Sequence, residues 1–195
     1  MSGATPKGRA PSTAGDLART VVFAAFIAVL GLFPGIHIGG SGVPIVLQNA
    51  GPLLAGCVLG ARRGAASVLL FLALTAIGLP LLSGGRGGLA SFVGPSAGFL
   101  VGWLVSAAVA GFVATRLRGP RLPVLLFAGV AGVLADYAVG IPWLATYTGL
   151  PAAAVQSLVF VPGDAVKAVA TATIAAVAHR ALPGRMAAER EIRTE

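Results

Sequence analysis

Phe160-Val161-Pro162-Gly163-Asp164-Ala165-Val166-Lys167-Ala168 heads the last long apolar run of the chain, and its reading decides the fold. An acid and a base three residues apart share one helix face. On a soluble protein such a pair is an ordinary surface feature. Inside a membrane segment a carboxylate and an ammonium are costly, and their presence there implies a function.

The composition selects the membrane setting. Of 195 residues, 56% are hydrophobic and only 10% charged, against about 25% charged in an ordinary soluble domain. The 28 glycines and 13 prolines fit packed membrane helices, where small residues let backbones approach and prolines sit at ends and kinks. The single cysteine, Cys57, lies in an apolar run, has no partner for an internal disulfide and reads as a small packing residue. A net charge of +8 raises nucleic acid as a partner. The basic residues, however, are spread over short loops without an aromatic-basic patch, so no nucleic-acid partner is expected and the charge reports topology instead.

Apolar runs predict an all-α, polytopic membrane protein with six spans. These cover about 18–35, 45–61, 64–82, 96–115, 122–147 and 163–180. A glycine-rich loop over 83–94 separates the third and fourth, and 151–160 reads as a re-entrant or interfacial turn of helix. The first run, with basic residues before 21–33, also has the look of a secretory signal. No small-x-small cleavage site precedes a soluble domain and five more apolar runs follow, so it is taken as the first span. Residues 1–15 and 183–195 are expected to be disordered cytoplasmic tails around one domain, 16–182.

Charge sets the orientation. Lys7, Arg9, Arg19, Arg62, Arg63, Arg116, Arg118, Arg121, Arg180, Arg185, Arg190 and Arg193 all fall on one side of such a bundle. That side is therefore cytoplasmic, with both termini inside and the chain multi-pass in the cell membrane. Asp16, Glu189, Glu191 and Glu195 lie in the same cytoplasmic segments. Arg86, Asp136, Asp164 and Lys167 are left over, and topology explains none of them.

Several chemistries are excluded. The run from Gly84 to Ser91 is rich in glycine but lacks the Gly-Lys-Ser/Thr ending of a phosphate-binding loop. The chain is thus expected not to hydrolyse ATP, and uphill transport would need a partner or an ion gradient. His37 and His179 lie at opposite predicted faces and Cys57 stands alone, so no metal site is expected. Gly39-Gly40-Ser41-Gly42 suggests an intramembrane serine protease, but such a serine needs a histidine base in reach; His37 is a loop neighbour and His179 is across the membrane. No enzyme is predicted.

The remaining polar and aromatic residues have two readings each. Gln48 and Asn49, adjacent amides at the start of a span, must find partners in a dry site, either backbone or a polar ligand. Trp143 and Tyr147 are interfacial anchors or ligand-stacking walls. Ala24 and Ala28 form a small-xxx-small pair, either for packing or for docking a partner helix. Asp164 and Lys167 either neutralise one another at a helix start, where an acid is favourable, or serve a ligand. Arg86 is a solvated loop charge or the partner of an anionic ligand. Carboxylate, ammonium, amides and apolar walls together suit a small amphiphilic solute.

The chain resembles the BioY family, the biotin-specific substrate-capture subunits of energy-coupling factor (ECF) transporters. The resemblance runs from about 18 to 180. It is carried by Gly42-Val43-Pro44-Ile45-Val46-Leu47-Gln48, Leu53-Leu54-Ala55-Gly56, Gly60-Ala61-Arg62-Arg63-Gly64-Ala65, Ala76-Ile77-Gly78-Leu79-Pro80, the glycine loop, Gly94-Pro95-Ser96-Ala97-Gly98-Phe99-Leu100, and Phe160-Val161-Pro162-Gly163-Asp164 with Lys167. It implies six transmembrane helices, a biotin site near the outer face, and Asp164 and Lys167 as part of that site. It further implies Gln48 and Arg86 as site residues and Ala24 and Ala28 as the meeting face for the transmembrane coupling subunit. Phe99 stands where the family pattern expects tyrosine, and Ser96 and Ala97 are milder departures.

The expected ligand is biotin, carried rather than held as a cofactor. Its ureido edge offers two N–H donors and a carbonyl, and its tail offers a carboxylate. Asp164 is expected to accept a ureido N–H, Lys167 to donate to the ligand or hold Asp164, and Arg86 to meet the carboxylate. Gln48, Asn49 and Trp143 complete the predicted site, with loops 34–44 and 83–95 folding over it. ATP-hydrolysing subunits and a transmembrane coupling subunit are the implied partners. The alternatives are a capture subunit for another vitamin and a non-catalytic membrane assembly protein.

Overall fold

The structure is a computed structural model that describes residues 13–37, 43–119 and 121–181; the expected terminal tails lie mostly, and Gly39-Gly40-Ser41-Gly42 wholly, outside them. The described chain is helical: α1 (Thr13–Leu30), α2 (Ala50–Leu59), α3 (Ala61–Ala76), α4 (Ala97–Arg116), α5 (Arg121–Thr148), α6 (Leu150–Ser157) and α7 (Val161–Ala181), with 3-10 turns at Leu89–Phe92 and Leu158–Phe160. Two isolated antiparallel bridges, Ile36 with Ile45 and Leu82 with Arg86, tie down the connecting loops. Among the described residues, α4, α5 and the run Leu150–Ala181 are long and apolar enough to cross a membrane, and Ala50–Leu59 is a shorter apolar helix.

The bundle has an apolar outside and a partly polar inside. Val21, Val22 and Phe26 of α1, Val101 and Phe112 of α4, Phe127 and Leu134 of α5, and Val166, Ile174 and Val177 of α7 are exposed. On α7 the opposite face is buried at Asp164, Lys167, Ala168, Thr171, Ala172, Ala175 and His179, a three-to-four-residue spacing. An apolar exterior around buried charge is the arrangement that lipid, not water, makes favourable.

Helix α2 is the hub, buried from Gly51 to Leu59 and packed against α1, α3, α4, α5 and α7. Bare backbone makes this possible. A Cβ on Gly56 would stand 2.3 Å from the carbonyl oxygen of Ala107 in α4, and one on Gly111 would stand 2.3 Å from the nitrogen of Ala61 in α3. The three helices therefore meet at near backbone contact, as small residues allow in membrane bundles.

Helix ends depart from the hydropathy reading for local reasons. The expected second span, 45–61, is helical only from Ala50. Pro52 has no N–H to donate to the carbonyl of residue 48, so it fits the first turn and not a helix interior. The expected third span, 64–82, stops at Ala76. Gly78 adopts φ +111°, and Pro80 keeps its predecessor out of the helical region. The expected first span, 18–35, runs instead over Thr13–Leu30, and a Cβ on Gly31 would fall 2.2 Å from the carbonyl oxygen of Leu81. Helix α5 continues through Pro142. The segment 151–160 is helical and leads almost directly into α7.

The basic end of the bundle is tied together by side chains. Arg63 on α3 pairs with Asp16 on α1 at 2.9 Å. His179 on α7 lies 3.0 Å from the carbonyl oxygen of Cys57 through Nε2, and Arg121 at the start of α5 approaches the same ring. A proton on Nε2 makes both contacts favourable, with Nδ1 accepting from Arg121.

Candidate functional site

At the other end of the bundle, helix starts and loops surround a cavity of about 530 Å³, its open mouth included. Its floor and walls come from the segment before α2 (Val43, Pro44, Ile45, Val46, Gln48, Asn49), the loop residues Leu82 and Arg86, the start of α4 (Ser96, Phe99, Leu100, Trp103), Asp136 and Tyr137 on α5, Phe160, and Asp164 and Lys167 on α7. Within a membrane bundle, non-helical backbone is tolerable where it lines a cavity.

Asp164 is the centre of the polar network. It stands in the first turn of α7 and is 3% exposed. Lys167 Nζ donates to its Oδ1 at 2.8 Å, Asn49 Nδ2 donates to the same oxygen at 2.9 Å, and Tyr137 OH donates to Oδ2 at 2.7 Å. Three donors, from α7, α5 and the turn just before α2, thus hold one carboxylate. Charge-assisted bonds of this kind are short and strong, and they fix the carboxylate before any ligand arrives.

The two amides divide the alternatives between them. Gln48 is completely buried. Its Nε2 donates to the carbonyls of Ile27 (3.0 Å) and Leu81 (2.8 Å), and its Oε1 accepts from the Ser83 N–H at 3.1 Å. It borders the cavity but its hydrogen bonds join α1 to the loop that carries Arg86. Asn49 instead faces the network at Asp164. Its Oδ1 is buried and has no partner among the described residues.

Arg86 sits at the mouth, exposed, in a tight loop closed by paired bonds with Leu82. Its Nε donates to the carbonyl of Ser83 at 3.3 Å. Glycines 84 and 85 adopt φ +81° and +70° there, a conformation that side chains resist.

Aromatic rings build the apolar wall. Phe99 meets Phe160 edge-on at 5.8 Å and Tyr137 edge-on at 6.5 Å between centroids. Both are the favoured geometry for aromatic pairs. Phe99 lacks a hydroxyl but fills its place by packing, and a Cβ on Gly140 would lie 2.3 Å from its ring.

All four ionisable residues left over by charge placement, Arg86, Asp136, Asp164 and Lys167, line this one cavity. Trp143 does not. Its ring packs on Gly98, its Nε1 donates to the carbonyl of Gly94 at 3.0 Å, and Tyr147 donates to the carbonyl of Val93. Both anchor the end of α5 to the loop before α4. Ala24 is 4% exposed within the core of Ile27, Val68 and Phe71, and the partly buried Ala28 packs against the same cluster. Sequence reasoning missed Tyr137, Phe99, Trp103 and Phe160 as neighbours of the polar network. Tyr137 carries the one available signal, a phenol beside an acid within a span.

An apolar-clad helical bundle with a charged, aromatic-walled cavity at one end defines a membrane protein that binds a small molecule. The chain belongs to the BioY family, whose profile matches residues 5–184. It is 48% identical over 182 residues to the biotin transporter BioY of Rhizobium etli, covering 87% of this chain and 97% of that one. It is 50% identical over 169 residues to the biotin transporter BioY of Rhodobacter capsulatus, covering 79% and 87%. The crystal structure of the S-component for biotin from an ECF-type ABC transporter superposes with a TM-score of 0.79 at 39% identity, covering 87% of this chain and 93% of the other.

Proposed function

We propose that this chain captures biotin as the substrate-specific subunit of an ECF-type transporter in the cell membrane. The observation that carries the reading is the cavity itself, in which a fixed carboxylate–ammonium pair sits among aromatic and aliphatic walls. That combination suits a ligand with an apolar ring, a polar edge and a charged tail. Asp164 holds the ligand's N–H edge, and Lys167 both holds Asp164 and has N–H groups to spare for a carbonyl. Arg86, at the mouth, meets the tail carboxylate. The relatives' names support the choice of biotin over other vitamins.

The same reading extends to topology and partners. Six crossings are made by α1, residues 43–49 with α2, α3, α4, α5, and α6 with α7. Both termini face the cytoplasm, because the basic residues gather at that end. Energy comes from ATP-hydrolysing subunits through a transmembrane coupling subunit, since the chain carries no phosphate-binding loop of its own. No resident cofactor takes part.

A thermal-shift screen of the purified protein against biotin and other vitamins tests this. A ligand at a hundred times its Kd adds about 2.7 kcal/mol of apparent stability. Stabilisation by biotin at micromolar concentration is expected. A shift with another vitamin and none with biotin would replace the ligand, and no shift with any would overturn capture.

A further inference from the structure

Asp136 has no role in the reading above, yet its surroundings are those of a ligand contact. It lies on α5, lines the cavity and is 6% exposed. Its Oδ1 is buried without a hydrogen-bond partner among the described residues. That oxygen packs against α4, where a Cβ on Gly102 would stand 2.1 Å from it, so the rest of the carboxyl group is what faces the cavity. A buried acceptor left unmatched costs the folded protein, and such groups call for an explanation.

The balance of donors and acceptors around the cavity supplies one. Asp164 already accepts three bonds, which leaves room for about one more on a carboxylate. Asn49 cannot turn its amide over, because that would set its oxygen against Asp164 Oδ1; its own oxygen is therefore a second unmatched acceptor. On the donor side Lys167 Nζ spends one bond on Asp164 and retains two N–H groups. The unliganded site thus has acceptors in excess near a cation with donors to spare. A planar group with N–H on either side of a carbonyl, a cyclic urea, corrects both.

We propose that Asp136 is a ligand-contacting, specificity-determining residue whose carboxylate accepts an N–H of the bound cyclic urea, alongside Asp164. This rests on the proposed biotin site. Asp136 and Asp164, on different helices, then select for a ligand with two N–H donors.

The test uses the purified full chain, biotin, and the two biotin derivatives methylated on one or the other ureido nitrogen. Asp136→Leu removes the acceptor. It should leave the empty protein as thermostable as the parent, or more so, while biotin affinity falls about 10- to 100-fold. Asp136→Asn keeps the shape and one acceptor oxygen and should retain more affinity than Asp136→Leu, which also guards against a misfolded leucine variant. For one methylated derivative, Asp136→Leu should cause little further loss, because the contact is already gone. Unchanged biotin affinity in Asp136→Leu would overturn the assignment. So would a fall in affinity that tracks a fall in thermostability, or losses that multiply for both derivatives. Failure of the parent protein to bind biotin would overturn the biotin site, and this inference with it.

Discussion

Replacing Lys167 by methionine keeps most of the length of the side chain, one atom short, and removes its charge. In the structure its Nζ lies 2.8 Å from Asp164 Oδ1, with the two side chains 10% and 4% exposed. Breaking a buried pair by removing one partner costs about 3–5 kcal/mol, mostly because the other charge is stranded. Asn49 and Tyr137 continue to donate to Asp164, so the loss should fall near the lower end, about 3 kcal/mol. Asp164→Asn in the same molecule removes the stranded charge, and the double variant should regain most of that stability. Ligand-free thermal unfolding in detergent reads both effects directly. Biotin binding should be weak in the single and the double variant alike, because the ligand loses the cation in each. A Lys167→Met protein that unfolds with the parent, or a double variant less stable than the single one, would refute the view that this pair is held together inside a dry site.

Gln48→Leu strands two carbonyls and the Ser83 N–H, at about 1–3 kcal/mol for each buried group left unpaired. Hydrogen exchange at Ser83 should accelerate, and unchanged protection would show that other contacts hold the Arg86 loop. Gly56→Ala should lower the melting temperature, since a Cβ 2.3 Å from the Ala107 carbonyl forces α2 and α4 apart, with overpacking costing about 1–3 kcal/mol; a variant that melts with the parent would show that the crossing is looser than drawn. Trp143→Phe should bind biotin as the parent does, because the indole anchors Gly94 outside the cavity. A loss of about tenfold, roughly 1.4 kcal/mol, in titration calorimetry would bring that ring into the site.

Hydropathy alone reached the helical class and the approximate place of each helix, because the apolar faces are long and the loops carry the charge. It misplaced the ends where backbone chemistry overrides hydrophobicity. Residues 45–47 are as apolar as a helix start, yet the helix begins only at Ala50, with Pro52 in its first turn, and Ile45 and Val46 line the cavity instead. The polar site was legible through exclusion: once topology accounted for the other basic residues, Arg86, Asp136, Asp164 and Lys167 remained, and they share one cavity. What each does was less legible. Gln48 and Asn49 are adjacent and chemically alike, but one faces backbone and the other faces Asp164, a difference set by helix geometry across 33 to 115 residues of sequence. Trp143 and Phe99 show the same limit, since an aromatic ring in a span carries no mark of whether it lines a cavity or a crevice.

The site combines a fixed half and an adjustable half, and the division follows from where the groups are mounted. Asp164 and Lys167 stand on α7, and the donors that hold Asp164 come from α5 and the start of α2. Moving any of them means moving a packed helix. Arg86 instead rides a loop closed by backbone bonds with Leu82 and turned by glycines at positive φ. Its position depends on Ser83, whose N–H is held from inside by Gln48. In the proposed capture reaction the ring end of the ligand therefore meets groups already in position, at little cost in ordering. The charged tail meets a cation that can adjust to it. Specificity for the polar edge then resides in the helices, and closure over the ligand resides in the loop. Substitutions in the helices should change which ligand binds, whereas substitutions at Ser83 or Gln48 should change how long it stays.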